Sequence, residues 1–202
     1  MKASLQRLIE LQKLLLAFSQ VDRRVDREHD NQYIAENDTE HSYNLAMTGW
    51  YLSQWFPELD RNLVIQYALV HDLVEVHAGD TYIYGTDEEL ASKEHREAKA
   101  LEKLAADWPD FQSMSDAIHA YENRTDAESR FVYALDKVMP MMLIYINDGY
   151  TWKKEGITLD MLYDTKIEKI KISPEVYPYF EQIHALLLER PDLIKNGKSP
   201  LL

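Results

Sequence analysis

The segment Tyr67–Asp80 combines the pattern of an apolar helix with ionisable side chains. Apolar residues and His71 recur at the i, i+3, i+4 and i+7 spacing of one helical face. Glu75 follows His71 by four residues and lies on the same face, and Asp72 lies about 100° further round. Ionisable groups on a core-facing helix cost free energy unless they pair with each other or bind a metal. The segment therefore indicates either a buried histidine held by a carboxylate or a metal site with acids beside it.

A His-Asp dipeptide occurs twice in the chain, and the surroundings separate the two copies. His29-Asp30 lies in a polar stretch without apolar periodicity, which is typical of a solvated loop. His71-Asp72 lies on a core-facing helix. Because a chain with 7 histidines is expected to contain such a dipeptide by chance, only the second pair is a candidate for chemistry.

Two further ionisable residues, His41 and Asp136, lie on helices that are otherwise apolar. Taken singly, His41 is also compatible with a capping or hydrogen-bonded histidine, and Asp136 with pairing to a lysine or a backbone group. Together with His71-Asp72 they supply two imidazoles and two carboxylates from three helices. This donor set neutralises a divalent cation and leaves octahedral positions for water and substrate oxygens.

Composition limits the class of protein and the kind of metal. With 202 residues, of which 46% are hydrophobic, the chain suits one domain, residues 1–202, with a substantial core. The net charge of −13 argues against binding to nucleic-acid polymers or anionic membranes. Cysteine is absent, so a metal must use His, Asp and Glu, which suits Mn, Fe, Co, Ni or Zn. We expect a cytoplasmic protein, since no signal peptide or membrane-spanning stretch is recognisable.

Helical periodicity predicts an all-α fold of seven or eight helices. Residues 22–38 are predicted as a loop, with Asp38 or Thr39 capping the next helix, and Pro140 is predicted to bend or interrupt a long helix. The tail from Pro191 is predicted to fray. The core is expected at about 5–147, followed by C-terminal helices at 157–190. The predicted helices cover residues 4–20, 40–55, 60–79, 87–106, 109 onward, 125–147, 157–170 and 174–190.

The order His, His-Asp, Asp resembles the signature of the HD-domain metal-dependent phosphohydrolases. The local sequence is similar to their smaller branch that includes bacterial 5′-deoxynucleotidases. Three blocks carry the similarity, Glu36–Ser42, Ala68–Asp80 and Ala134–Lys137. The middle block contains an acid three residues after the dyad and a later Gly-Asp, which makes it more specific than the dyad alone. The resemblance spans about residues 5–145 and implies a helical HD-domain fold.

The resemblance implies a role for each site residue. Glu75 and Asp80 are implied as the catalytic acids that orient the attacking water and assist the leaving group. An alternative role for Glu75 is to hold the His71 ring in place. The implied ligands of one divalent transition metal are His41, His71, Asp72 and Asp136.

The branch also holds phosphate through an arginine upstream of the first ligand. Arg23, Arg24 and Arg27 lie in that region, and we predict Arg27, followed by Arg24, as the phosphate-binding residue. Tyr82 is predicted to line a base or ribose pocket. It lies in a turn, residues 81–86, that departs from the proline-containing sequence expected of the deoxynucleotidases.

The predicted function is release of phosphate from a small phosphomonoester, a (deoxy)nucleoside 5′-monophosphate, by a metal-dependent enzyme. The family also suggests a homodimer. One alternative is a phosphodiesterase or an alarmone-type nucleotide hydrolase that uses the same metal site. Another is a non-catalytic helical regulatory module that retains the four ligands.

Overall fold

The computed structural model describes residues 3–195, which form a helical bundle and one β-hairpin. Eight of the helices formed by these residues contain ten residues or more, which confirms the predicted all-α fold class. The hairpin consists of β1 (Asp22–His29) and β2 (Gln32–Asn37). The helices are α1 (Leu5–Phe18), α2 (Asp38–Leu52), α3 (Arg61–Val70), α4 (Glu75–Ala78), α5 (Asp87–Asp107), α6 (Gln112–Asn123), α7 (Ala127–Ile146), α8 (Tyr150–Glu155), α9 (Leu159–Ile170) and α10 (Tyr177–Glu189).

Helix α7 lies at the centre of the bundle and contacts α2, α3, α6, α9, α10 and β1. Its apolar face, which includes Phe131, Leu135 and Val138, is fully buried. Burial of this face, as the main favourable term in folding, fixes the positions of Asp136 and Lys137 on the same helix. Within residues 3–195, no helix has the length and apolar composition that crossing a bilayer requires.

The prediction of a loop at residues 22–38 is wrong, because β1 and β2 pair antiparallel there. Asp30 and Asn31 form the turn with positive φ angles of 50° and 62°, a conformation that Asp and Asn tolerate better than other residues with a side chain. The strands escaped recognition because their polar sequence lacks strand alternation. The backbone N–H of Asp26 donates a hydrogen bond of 2.9 Å to Thr151 Oγ1, which ties the hairpin to α8.

Among the helix boundaries that differ from the sequence prediction, two lie beside candidate site residues. Asn37, and not Asp38 or Thr39, caps α2, because its side chain accepts from the Glu40 N–H in a reciprocal capping box. The helix predicted over 60–79 is divided, since α3 ends at Val70 and α4 begins at Glu75. The dyad therefore lies in the turns between two helices, where its side chains are not confined to one helical face.

Pro140 does not interrupt α7, which continues to Ile146. A proline inside a helix lacks the N–H that would bond to the carbonyl four residues earlier. Next to that position, the buried amine of Lys166 donates a hydrogen bond of 2.8 Å to the carbonyl of Lys137. Helix α9 is thereby joined to the part of α7 that the proline weakens.

The tail predicted to fray from Pro191 is ordered as far as it is described. Residues Pro191–Leu193 form a 3₁₀ turn, and Leu193 is buried. The Leu193 carbonyl oxygen would lie 1.9 Å from a Cβ at Gly149, so only glycine fits there. The rest of the predicted tail, residues 196–202, lies outside the described residues.

Replacement of Lys166 by methionine is expected to stabilise the protein most at neutral pH and least at alkaline pH. Burial, reinforced by Lys137, lowers the pKa of Lys166 from 10.5 to about 7. Between these values the unfolded state binds the extra proton, so wild-type stability rises with pH by at most about 1.4 kcal/mol per unit from this group. Urea unfolding at pH 7, 8 and 9 should show the advantage of Lys166→Met shrinking as pH rises. An advantage that is constant with pH, or a similar trend in the exposed-site control Lys153→Met, would contradict this account.

Candidate metal centre

The four predicted metal ligands lie together in the core. His41 comes from α2, Asp136 from α7, and His71 and Asp72 from the turn after α3. One donor atom from each residue lies within 4.8 Å of the other three. Donors on opposite sides of one ion, at about 2.1 Å from it, lie about 4.2 Å apart, so the cluster has nearly the dimensions of a coordination sphere.

The orientation of the His71 ring favours a cation at this position. Its Nδ1 lies 2.9 Å from the Ala68 carbonyl oxygen, which can only accept a hydrogen bond, so Nδ1 carries the proton. The other ring nitrogen, Nε2, lies 3.0 Å from Asp72 Oδ2 and 3.7 Å from Asp136 Oδ1. Nε2 is buried without a hydrogen-bond partner among the described residues. A ring nitrogen that faces two carboxylates, while Ala68 holds the opposite nitrogen, fits a ligand of a divalent metal ion.

Asp136 is held in its ionised form at the centre of the cluster. Its Oδ1 lies 2.8 Å from His41 Nε2, and its Oδ2 accepts from Lys137 Nζ at 2.5 Å. Burial opposes ionisation, but Lys137 and the hydrogen bond to His41 hold the pKa of Asp136 well below its ordinary value. On the other side of the His41 ring, Nδ1 lies 3.4 Å from the buried carboxylate of Glu36. This pairing matches the carboxylate–histidine arrangement that supports many metal ligands.

A second group of acids, Asp38, Glu75 and Asp80, adjoins the ligands. Asp38 and Glu75 offer oxygen atoms within 4.8 Å of Asp72 and of each other. Burial and the charge of Asp72 raise the pKa of Glu75 to about 10 and that of Asp38 to about 7, and burial also raises the pKa of Asp80. The site therefore contains a carboxylate held ionised at Asp136 and carboxyls that retain protons near neutral pH, a combination typical of acid–base sites.

The structure places Arg23, and not Arg27, at the metal centre. Arg23 Nη1 lies 2.5 Å from Asp72 Oδ2 and 3.2 Å from Asp38 Oδ1. Arg27 instead donates to Glu40 at 2.9 Å and does not line the cavity described below. The pairing register shifts between Asp22 and Asp26, so side-chain alternation along the strand does not carry from Arg23 to Arg27.

A cavity of about 330 Å³ opens beside the cluster. Arg24 and Tyr82 line it, and the Arg24 guanidinium lies 5.9 Å from the centre of the Tyr82 ring. Glu75 and Asp80 also reach the cavity, as do Tyr84 and Tyr133. The volume suits a small molecule, and the wall beside the metal centre joins aromatic rings to charged groups.

Sequence reasoning did not assign roles to several residues of this site. Arg23 was recognised only as one of three arginines, Asp38 as a helix cap, and Lys137 as part of a matching block. Glu36 and Asp38 lie five and three residues before His41. That acidic approach to a ligand helix was the available signal. Lys137 Nζ and the Tyr121 hydroxyl lie 2.5 and 3.4 Å from the second carboxylate oxygen of Asp136, Oδ2. No spacing in the sequence indicates either contact.

Comparisons with known proteins agree with this geometry. The chain is similar in structure to a predicted metal-dependent phosphohydrolase from Magnetospirillum magnetotacticum MS-1, with a TM-score of 0.77 and 27% sequence identity. The match covers 96% of this chain and 100% of that one. A search of curated proteins found no match. The family model described as HD domain matches residues 20–177, which include all four candidate ligands, and the chain therefore belongs to the HD-domain family.

Proposed function

We propose that this chain is a divalent-metal-dependent phosphohydrolase that releases phosphate from a small phosphomonoester, with (deoxy)nucleoside 5′-monophosphates as the first class to test. The buried Nε2 of His71, which faces two carboxylates and makes no hydrogen bond among the described residues, carries the proposal because this arrangement fits a metal ligand. Membership of the HD-domain family and the likeness to a predicted metal-dependent phosphohydrolase support the same activity.

The ion would be held by His41, His71, Asp72 and Asp136. When bound, it would supply Lewis-acid polarisation of the phosphoryl group and an activated water. Arg23 lies against Asp72, and its planar guanidinium can bind two phosphate oxygens at once. Arg23 thus replaces Arg27 in the proposed phosphate site.

Glu75 and Asp80 would move protons during the reaction. Both line the cavity, and both have raised pKa values. A carboxyl that retains its proton near neutral pH can give it to the departing ester oxygen, and a second carboxyl can orient the attacking water. The Ala68 carbonyl already holds the His71 ring, so Glu75 is not needed for that purpose.

The nucleoside part of the substrate is proposed from the aromatic lining of the cavity. Tyr82, Tyr84 and Tyr133 contribute rings to its wall, and aromatic rings bind nucleobases by stacking. The tyrosine hydroxyl groups and Arg24 add polar contacts suitable for a sugar.

Phosphate release from a panel of ribo- and deoxyribonucleoside 5′-monophosphates tests the proposal. EDTA-treated protein should be inactive, and added Mn²⁺, Co²⁺ or Mg²⁺ should restore release, because the cluster holds a divalent ion. If protein that still binds metal releases no phosphate from any compound of the panel, the result would contradict the monoesterase and favour the diesterase or alarmone-type alternative. Absence of phosphate release from protein that binds no metal would contradict the four-ligand metal centre itself.

A further inference from the structure

Four lysines from three helices are among the residues that line the cavity, and they are called its lysine wall below. Lys93 lies on α5, Lys137 on α7, and Lys166 and Lys169 on α9. Burial lowers the pKa of Lys169, and Lys137 and Lys93 add to this effect, so these side chains are close enough to act on one another. The chain as a whole has a net charge of −13, so a group of four lysines in one cavity differs in sign from the rest of the protein.

The described residues only partly neutralise this wall. Lys137 pairs with Asp136, and Lys93 Nζ lies 3.3 Å from Glu97 Oε1. Among the side chains that the structure describes, no carboxylate lies within ion-pair distance of Lys166 or Lys169. Mutual repulsion of buried or half-buried cations costs free energy, so a cluster in which two of the four lysines lack a carboxylate partner is suited to an anionic ligand.

The metal centre and the fold account for some of these lysines and leave one unexplained. Lys137 stabilises the charge of Asp136, and Lys166 binds the Lys137 carbonyl beside Pro140. Lys169 is half-buried in the cavity wall, and no hydrogen bond or ion pair within the described part of the chain explains its position. It lies on α9, whereas the candidate ligands come from α2, α7 and the turn after α3.

We propose that the substrate carries a second phosphate group, separate from the one that is hydrolysed, and that Lys169 and Lys93 bind it at the α5–α9 wall. The inference rests on the proposed phosphohydrolase function and narrows its substrate class to small molecules with two phosphates. Water adds to phosphorus of the group at the metal centre, the ester P–O bond breaks, and the leaving oxygen takes up a proton. The second phosphate is unchanged and serves to bind the substrate.

The test compares two compounds that differ by one phosphate group, adenosine 5′-monophosphate and adenosine 3′,5′-bisphosphate. Binding is measured calorimetrically in the presence of Mn²⁺ with Glu75→Gln protein, so that turnover is not required. We expect the bisphosphate to bind about 10-fold more tightly, because a charge-assisted contact is gained. In that background Lys169→Met should remove the difference and leave monophosphate binding within about 2-fold, as expected where no contact to it is lost.

Lys171→Met is the matched control, because Lys171 lies at the end of the same helix, is exposed and pairs with Glu168. It should leave the binding of both compounds unchanged. Equal affinity of the two compounds, or equal losses for both in Lys169→Met, would overturn the second phosphate site.

Turnover by wild-type protein separates this inference from the proposed function. If phosphate is released from either compound but binding does not depend on Lys169, the result would support the phosphohydrolase activity and refute the second phosphate site. Lys169-dependent binding of the bisphosphate without metal-dependent release from any substrate would support the site and refute the phosphohydrolase. If the phosphohydrolase activity and the second phosphate site are both present, Lys169→Met should raise KM for the bisphosphate and leave kcat unaltered.

Discussion

Asp72→Asn protein is expected to lose its metal and at least about 100-fold of its phosphohydrolase activity. Substitution of a residue that only supports a ligand costs about 10–100-fold in affinity or activity, so loss of a ligand charge should cost more. The amide also removes the nearer of the two anionic partners of Arg23 Nη1, which lies 2.5 Å from Asp72 Oδ2 and 3.2 Å from Asp38 Oδ1. Metal content by elemental analysis and phosphate release under saturating Mn²⁺ measure the two effects.

The second His-Asp dipeptide provides the matched control. Asp30 is highly exposed at the tip of the hairpin and has a φ of 50°, which asparagine accommodates. Asp30→Asn removes the same charge from the same dipeptide and should change neither metal content nor activity. Wild-type activity in metal-free Asp72→Asn protein would refute the proposed mechanism.

Glu75→Gln protein is expected to keep its metal while kcat falls by about 10²–10⁴-fold, the usual contribution of a positioned acid or base. Glutamine has nearly the shape of the protonated carboxyl, and the raised pKa of Glu75, about 10, means that this neutral form occupies the metal-free site at neutral pH. The substitution therefore preserves packing and removes only the ability to exchange a proton. Metal titration and steady-state kinetics separate the two consequences.

Glu94→Gln is the control for this variant, since Glu94 is an exposed residue of α5. Unchanged kcat in Glu75→Gln would refute the role of Glu75 in proton transfer. Loss of metal from Glu75→Gln would instead indicate that Glu75 holds the His71 ring. It would contradict our inference that the hydrogen bond to the Ala68 carbonyl is sufficient for that purpose.

The sequence alone predicted most of the helices because burial of apolar side chains at the helical period is a local, repeated signal. The hairpin lacked such a signal. Its strands are polar, and contacts with α8, such as Asp26 with Thr151, help to hold them in place. The boundary at the dyad was missed for a similar reason, since Leu73 and Val74 are buried and continue the apolar pattern through turns that end α3.

For the candidate site, the sequence by itself determined the chemical types. Four ionisable residues in apolar surroundings identified His41, His71, Asp72 and Asp136, since such groups are rarely buried without partners. Only the tertiary structure decided which residues surround them. Arg23 rather than Arg27 reaches Asp72, at a place where the strand pairing is irregular, and the lysines of the cavity wall come from α5, α7 and α9. Proximity across helices depends on how the whole core packs, and spacing along the chain does not encode it.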